Sequence, residues 1–196
     1  MKKLLASIMI LALALSASAF AAEVPADISG LWHAILAEGE STLFLRPDGT
    51  GSLNTGGTDF PIAWNQALDV VTLDQGGALV NGVYDEAFIS LAIGGGNLIF
   101  LREKPEPQPL DGDISGTWRA PLMGGDSILT LNADGSAILD LGPEAVNLTW
   151  THEGPTVTLL QEGFPIECIY DGVFISIFLG EGSVCFMKTE AEVPAQ

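Results

Sequence analysis

Positive charge, cysteine and histidine are scarce in this sequence. Its 196 residues hold 7 Lys and Arg against 25 Asp and Glu, with two Cys and two His, for a formal net charge of −18. A surface so poor in bases repels phosphate, which argues against nucleic acid and anionic membrane surfaces as partners. Two Cys cannot build a disulfide-dense miniprotein. Structural or catalytic zinc needs several converging His, Cys or carboxylate ligands. The two His and two Cys fall at unrelated offsets, so no metal and no other cofactor is expected. Helical periodicity is missing too: beyond the N-terminal segment no window of about ten residues carries a sustained apolar stripe. What is present is 23 Gly, 11 Pro and 47% hydrophobic residues with only 16% charged, which is the composition of a globular chain and not of a disordered polyelectrolyte.

The first segment reads as an address. Lys2 and Lys3 precede an apolar run from Leu4 to Leu15, and small residues follow at Ala19 and Ala21. This is the layout of a secretory signal peptide spanning 1–22, with cleavage after Ala21 or Ala22. The run is shorter than the roughly 20 residues that span a bilayer, so no stable membrane anchor is expected. The mature chain is expected to be extracytoplasmic, periplasmic or secreted. Its strong bases are then Arg46, Arg102, Lys104, Arg119 and Lys188.

The chain is a repeat. Asp27-Ile28-Ser29-Gly30-Leu31-Trp32 recurs 86 positions later as Asp113-Ile114-Ser115-Gly116-Thr117-Trp118, and the shift holds without a gap to the end of the second copy. Trp64 falls on Trp150, Tyr84 on Tyr170, Phe100 on Phe186 and Arg102 on Lys188; about 29 of the 77 aligned positions are identical. A unit of this length is a domain and not a solenoid repeat. The organisation is therefore domain 1 (27–103), a Pro-rich linker (104–112), domain 2 (113–188) and a disordered tail (189–196). The linker alternates Pro with polar residues and favours extended polyproline II, which would hold the domains some 25 Å apart at about 3.1 Å per residue.

Within each copy, short apolar alternations are broken by Gly, Asp and Pro. Strands are expected near 30–37, 41–46, 50–54, 60–64, 69–73, 79–84, 87–93 and 97–102, and again 86 residues on. Such spacing points to an all-β barrel or sandwich. Pro47-Asp48-Gly49 and Ala133-Asp134-Gly135 place Gly where a hairpin needs positive φ. Consecutive hairpins give an up-and-down meander, and closing it removes the exposed edges. The expectation is two tandem small antiparallel barrels. Leu43, Leu45, Leu73, Ile89, Leu91 and their counterparts are bulky enough to fill the interiors.

Ser29-Gly30-Leu31-Trp32 and Ser115-Gly116-Thr117-Trp118 resemble the Gly-x-Trp signature on the first strand of lipocalin-like (calycin) barrels. Each copy is similar to the small lipocalin-like domains of secreted bacterial proteins. The resemblance implies that a basic residue ending the last strand packs on the signature Trp. Arg102 then belongs with Trp32 and Lys188 with Trp118, a cation over an indole worth about 0.5–2 kcal/mol that ties first strand to last. It also implies small apolar ligands, or protease inhibition, as activities of the family.

Other constellations have plainer readings. Trp64, Trp150, Tyr84 and Tyr170 occur in both copies, as fold positions would. Gly125-Asp126-Ser127-Ile128 looks like the start of an esterase motif, but its counterpart Gly39-Glu40-Ser41-Thr42 makes it a strand start. Asn132-Ala133-Asp134-Gly135-Ser136 is a hairpin turn and not a calcium loop, lacking the acidic ligand pattern. His33 and His152 face Arg119 and Gln66 in the other copy, and no nucleophile elbow accompanies them. Cys168 and Cys185 occur only in the second copy. Secretion favours a disulfide between them, whereas the strand map puts them two strands apart, about 9.6 Å, beyond the roughly 7 Å reach of a bridge; the pair stays a candidate.

With no catalytic residues identified, the expected function is that of a non-enzymatic extracytoplasmic binding protein with a protein partner. The alternatives are a small apolar ligand held at the barrel mouths, and inhibition of an extracellular hydrolase through an arm at Ala22–Ala26. Loop tips, barrel mouths and the groove between domains are the candidate contact surfaces.

Overall fold

The computed structural model describes residues 27–36, 39–93, 96–142, 145–179 and 182–189. The expected signal peptide, the arm Ala22–Ala26 and the tail after Thr189 lie outside the described residues. The described chain is all-β: two closed, eight-stranded antiparallel barrels in tandem. The first holds β1 (Gly30–Leu36), β2 (Gly39–Leu45), β3 (Thr50–Thr55), β4 (Thr58–Ala67), β5 (Val70–Gln75), β6 (Ala78–Asp85), β7 (Phe88–Ile93) and β8 (Gly96–Leu101). The second holds β9 (Gly116–Leu122), β10 (Gly125–Leu131), β11 (Ser136–Asp140), β12 (Ala145–Glu153), β13 (Thr156–Gln161), β14 (Phe164–Tyr170), β15 (Phe174–Leu179) and β16 (Gly182–Lys188). Each strand pairs with the next, and the last returns to the first.

One boundary differs by more than frayed ends. The expected strand 60–64 is only the middle of β4, because Gly56 and Gly57 form the whole preceding turn. Their φ values are +56° and +75°, and Thr55 stands opposite Thr58. Two left-handed central residues make a turn whose twist matches the flanking strands, so the ladder runs on through Thr58 and Asp59.

Alternation sends every second side chain inward. Leu43, Leu45, Leu73, Ile89 and Leu91 are at most 3% exposed, and Leu129, Leu131, Leu159, Ile175 and Ile177 at most 1%. With Trp32 and Phe100, or Trp118 and Phe186, they form one continuous core per barrel. The interiors are filled by side chains, as eight short strands require. Trp64 and Trp150 do a different job. Each is half-buried and pins a hairpin: the Trp64 indole donates to the carbonyls of Arg46 (2.9 Å) and Thr50 (3.0 Å), and the Trp150 indole to that of Asn132 (2.8 Å).

The barrels are not held 25 Å apart. Phe88, Ile99, Phe174 and Cys185 are buried in one cluster shared by both, with Leu101, Val173 and Met187 packed against it. Phe88 and Phe174, Ile99 and Cys185, and Leu101 and Met187 are matched positions of the two copies, so the same outer face of each barrel meets the other. Burying a Phe or Ile side chain is worth about 1.5–3 kcal/mol, and a tethered pair has already surrendered much of its freedom. The linker is stiff, but stiffness does not set direction: it folds back on the second barrel, where the Gln108 N–H donates to the Gly172 carbonyl at 2.7 Å.

Docking also completes the seams. β8 is in register with β1 only at His33–Leu101, and β16 with β9 only at Met187–Arg119 and Lys188–Trp118. The leading ends of β8 and β16 lie on each other instead. A Cβ at Gly96 would overlap the Ser183 carbonyl, so only glycine lets the strands approach this closely. The Asn97 side chain then acts as a piece of strand. Its Oδ1 accepts from the Cys185 N–H at 2.7 Å, and its Nδ2 donates to the Cys185 carbonyl at 3.2 Å. Nδ2 also donates to Ser90 Oγ (3.1 Å), whose hydroxyl donates to the Pro121 carbonyl (2.7 Å).

Candidate functional site

The residues singled out in the sequence lie in three separate places. At the first-to-last strand seams, the Arg102 guanidinium carbon sits 3.9 Å from the centroid of the Trp32 ring, and Lys188 Nζ 5.8 Å from that of Trp118. Arg102 also donates to the carbonyls of Ser29 (2.7 Å) and Asp27 (3.2 Å). Both indoles are fully buried and donate to the carbonyl four residues back, Ile28 or Ile114, at 2.9 Å. A ring with both its face and its N–H engaged is a structural plug, with no surface left for a ligand.

Cys168 and Cys185 form no bridge; both are free thiols. Cys168 stands opposite Ile177 and points into the second core. Cys185 stands opposite Ser176, on the other face of the sheet, and points into the cluster between barrels. Opposite faces of a sheet, two strands apart, cannot be joined by an S–S bond. Burial pushes both thiols up to about 12, which makes them inert.

The histidines are engaged locally. The His33 ring Nδ1 pairs with Glu40 at 2.9 Å, and Lys104 holds the other Glu40 oxygen at 2.6 Å. The hydrogen bonds from Lys104 and His33 lower the Glu40 pKa. His152 Nε2 bonds to the Gly154 carbonyl at 2.7 Å. Neither ring meets a serine hydroxyl among these bonds.

The third place is one that only docking creates. A groove of about 1150 Å³ runs between the barrels. Its walls are the β4–β5 turn (Leu68, Asp69), the β6–β7 turn (Asp85, Glu86) and the β9–β10 turn (Met123, Gly124). Arg119 crosses it, at 2.6 Å from Asp126 on its own barrel and in an ion pair with Asp85 of the other, above the Phe88 ring at 5.5 Å. Burial works against its charge, but the bonds to Asp126 and Asp85 more than offset this and raise the Arg119 pKa. In the first copy His33 and Glu40 occupy the positions of Arg119 and Asp126, without the cross-barrel partner.

Two groove residues hold unusual backbone. Leu68 has φ +57° and Glu86 φ +20°. Their counterparts are Gly154 (φ +56°) and Gly172 (φ +95°). The fold asks for glycine at these turns, and the second copy supplies it. A side chain in the left-handed region costs about 1–2 kcal/mol. At Leu68 that strain puts an apolar side chain into solvent, 72% exposed; Met123, 50% exposed, lines the same groove from the other barrel. The same conformation occurs outside the groove at Glu162 (φ +50°), opposite Gly76 of the first copy.

The equivalent surface of the second barrel is partly covered. Gly172 is buried beneath the linker; a Cβ there would meet the Gln108 carbonyl at 2.8 Å and Pro107 at 2.9 Å. The neighbouring β12–β13 hairpin, around His152 and Pro155, borders a smaller hollow of about 550 Å³. Sequence reasoning named the groove between domains but missed Leu68, Glu86 and Met123. The signal that could have found them is divergence from a glycine or alanine in the other copy: Leu68 against Gly154, Glu86 against Gly172, Met123 against Ala37. Comparison with protein-family models, with curated proteins and with solved structures finds no match.

Proposed function

We propose that the protein is a non-enzymatic, extracytoplasmic binding protein of two lipocalin-like domains, and that it engages a protein partner through the groove between the barrels. The observation that carries this reading is the contrast between filled interiors and an open groove. Core side chains occupy the volume that a lipocalin-like ligand would need. A groove of about 1150 Å³ walled by three turns instead offers exposed Leu68 and Met123 beside charged residues. An apolar centre with a polar rim is the anatomy of a protein contact. The local engagement of both histidines supports a non-catalytic role.

The test is a photo-crosslinker on a Met123→Cys variant, placed in the extracytoplasmic fraction of the producing cells. The native thiols are buried, so the label goes to position 123. A discrete protein adduct is expected, and the same label at Phe164, an exposed residue at the start of β14 in the second barrel, should not form it. A lipophile extracted from the purified protein in one-to-one amount, with no adduct, would instead favour a small apolar ligand.

A further inference from the structure

We infer that the occupant of the groove is a segment of the partner that presents a lysine or arginine next to an apolar side chain. This rests on the reading of the groove as the contact surface and adds the chemistry of what fills it.

On the second barrel, the turn equivalent to Asp85–Glu86 is already covered by an extended, Pro-containing strip, with one backbone hydrogen bond from Gln108 to Gly172. The corresponding turn of the first barrel has no such cover among the described residues, and Glu86 and Leu68 stand exposed beside it. Glu86 stands where Gly172 admits the linker, and a side chain there would meet a strip laid at the same distance, so an occupant of the first barrel's turn lies farther out, against the Glu86 and Leu68 side chains.

Asp69, Asp85, Glu86 and Asp126 line the groove against the single guanidinium of Arg119. Arg119 is committed to Asp85 and Asp126, so Asp69 and Glu86 are the carboxylates left to meet an incoming cation. The chain's own linker, Glu103-Lys104-Pro105-Glu106-Pro107-Gln108-Pro109-Leu110, carries acids at two of its positions and is the wrong sign for this side. Leu68 and Met123 line the groove from opposite barrels, and both are exposed. An occupant therefore needs a cation for Asp69 and Glu86 and a hydrocarbon side chain between Leu68 and Met123.

The experiment uses the mature full chain and two synthetic octapeptides: the linker sequence with both glutamates replaced by lysine, and the native acidic linker sequence. Binding is read by chemical-shift changes and by fluorescence anisotropy. The cationic peptide is expected to bind at least about tenfold more tightly than the acidic one and to weaken as salt rises, because exposed charges are screened beyond about 8 Å at physiological ionic strength. Shifts are expected at Leu68, Glu86 and Met123. Asp69→Lys with Glu86→Lys should reduce affinity by about tenfold or more. Leu68→Gly places at this turn the residue that the second copy uses, so it folds without strain, and it should still weaken binding by about fivefold. Equal binding of both peptides, or binding unchanged in these variants, would overturn the cationic assignment while leaving the groove as contact surface. No binding of either peptide would overturn it as well. If, in addition, the crosslinker at position 123 gives no protein adduct, the reading of the groove itself falls with it.

Discussion

Replacing Asn97 with alanine should undock the barrels. The Asn97 amide is buried between them and satisfies both the N–H and the carbonyl of Cys185, at 2.7 and 3.2 Å. Alanine leaves those two backbone groups facing Phe88, Ile99 and Phe174 with no replacement donor or acceptor. A buried polar group stripped of its partner costs about 1–3 kcal/mol. Two such groups, partly relieved by water entering the vacated space, cost about 3 kcal/mol. The assay is maleimide modification of Cys185 in the otherwise native protein, followed by mass spectrometry of the labelled peptide. Modification requires the barrels to part, so its rate follows the undocking equilibrium. A loss of about 3 kcal/mol corresponds to a rate increase of about a hundredfold. Cys168, inside the second core, should change far less. An unchanged rate at Cys185, or equal acceleration at both thiols, would refute the reasoning, since the first would mean that the bridge carries no weight and the second that barrels and interface open as one.

Three further outcomes follow from the same geometry. Arg102→Ala should cost the first barrel about 1–3 kcal/mol in denaturant unfolding, from its close cation–indole contact and two carbonyl bonds, whereas Lys188→Ala, with Nζ 5.8 Å from the Trp118 ring, should cost under about 1 kcal/mol; equal losses would contradict this. Hydrogen bonds from Ser29, Thr50, Ser115 and Ser136 hold Asp27, Asp48, Asp113 and Asp134 below their ordinary pKa of 3.8, so their contribution is complete above that value and is lost as pH falls through the lower folded values; an acid titration of the unfolding midpoint should flatten in Asp48→Asn with Asp134→Asn, and an unaltered slope would count against it. The buried thiols invert the sign: raised from 9.0 to about 12, they contribute fully below about pH 9 and lose that contribution as pH climbs toward 12, and a thiol assay without reductant should count two thiols after denaturation and none in the native state at neutral pH.

Much of the fold was legible because duplication repeats its own evidence. Asp48-Gly49 with Asp134-Gly135, or Val71-Thr72-Leu73 with Val157-Thr158-Leu159, mark the same turn and strand twice. What was not legible was docking. β7 and β8 read as ordinary strands, yet Phe88, Ile89, Ser90 and Leu91 are buried in succession. An apolar run without clean alternation is the sign of a strand covered on both faces, and that sign was present in Phe88-Ile89 and in Ile99-Phe100-Leu101. The Pro-rich linker reads as a spacer because composition reports stiffness, while direction depends on Gly172 leaving room for Pro107 and Gln108. The groove depends on that docking and therefore could not be drawn from either copy alone. Only Leu68, Glu86 and Met123, which stand where the other copy has glycine or alanine, leave a sign in the sequence.

Solution X-ray scattering of residues 23–196 tests the central claim, that two filled barrels are docked into one body with a groove between them. A docked pair of this size should have a radius of gyration of about 16–17 Å. Barrels held apart by an extended linker would give more than about 23 Å, and that value would contradict the account.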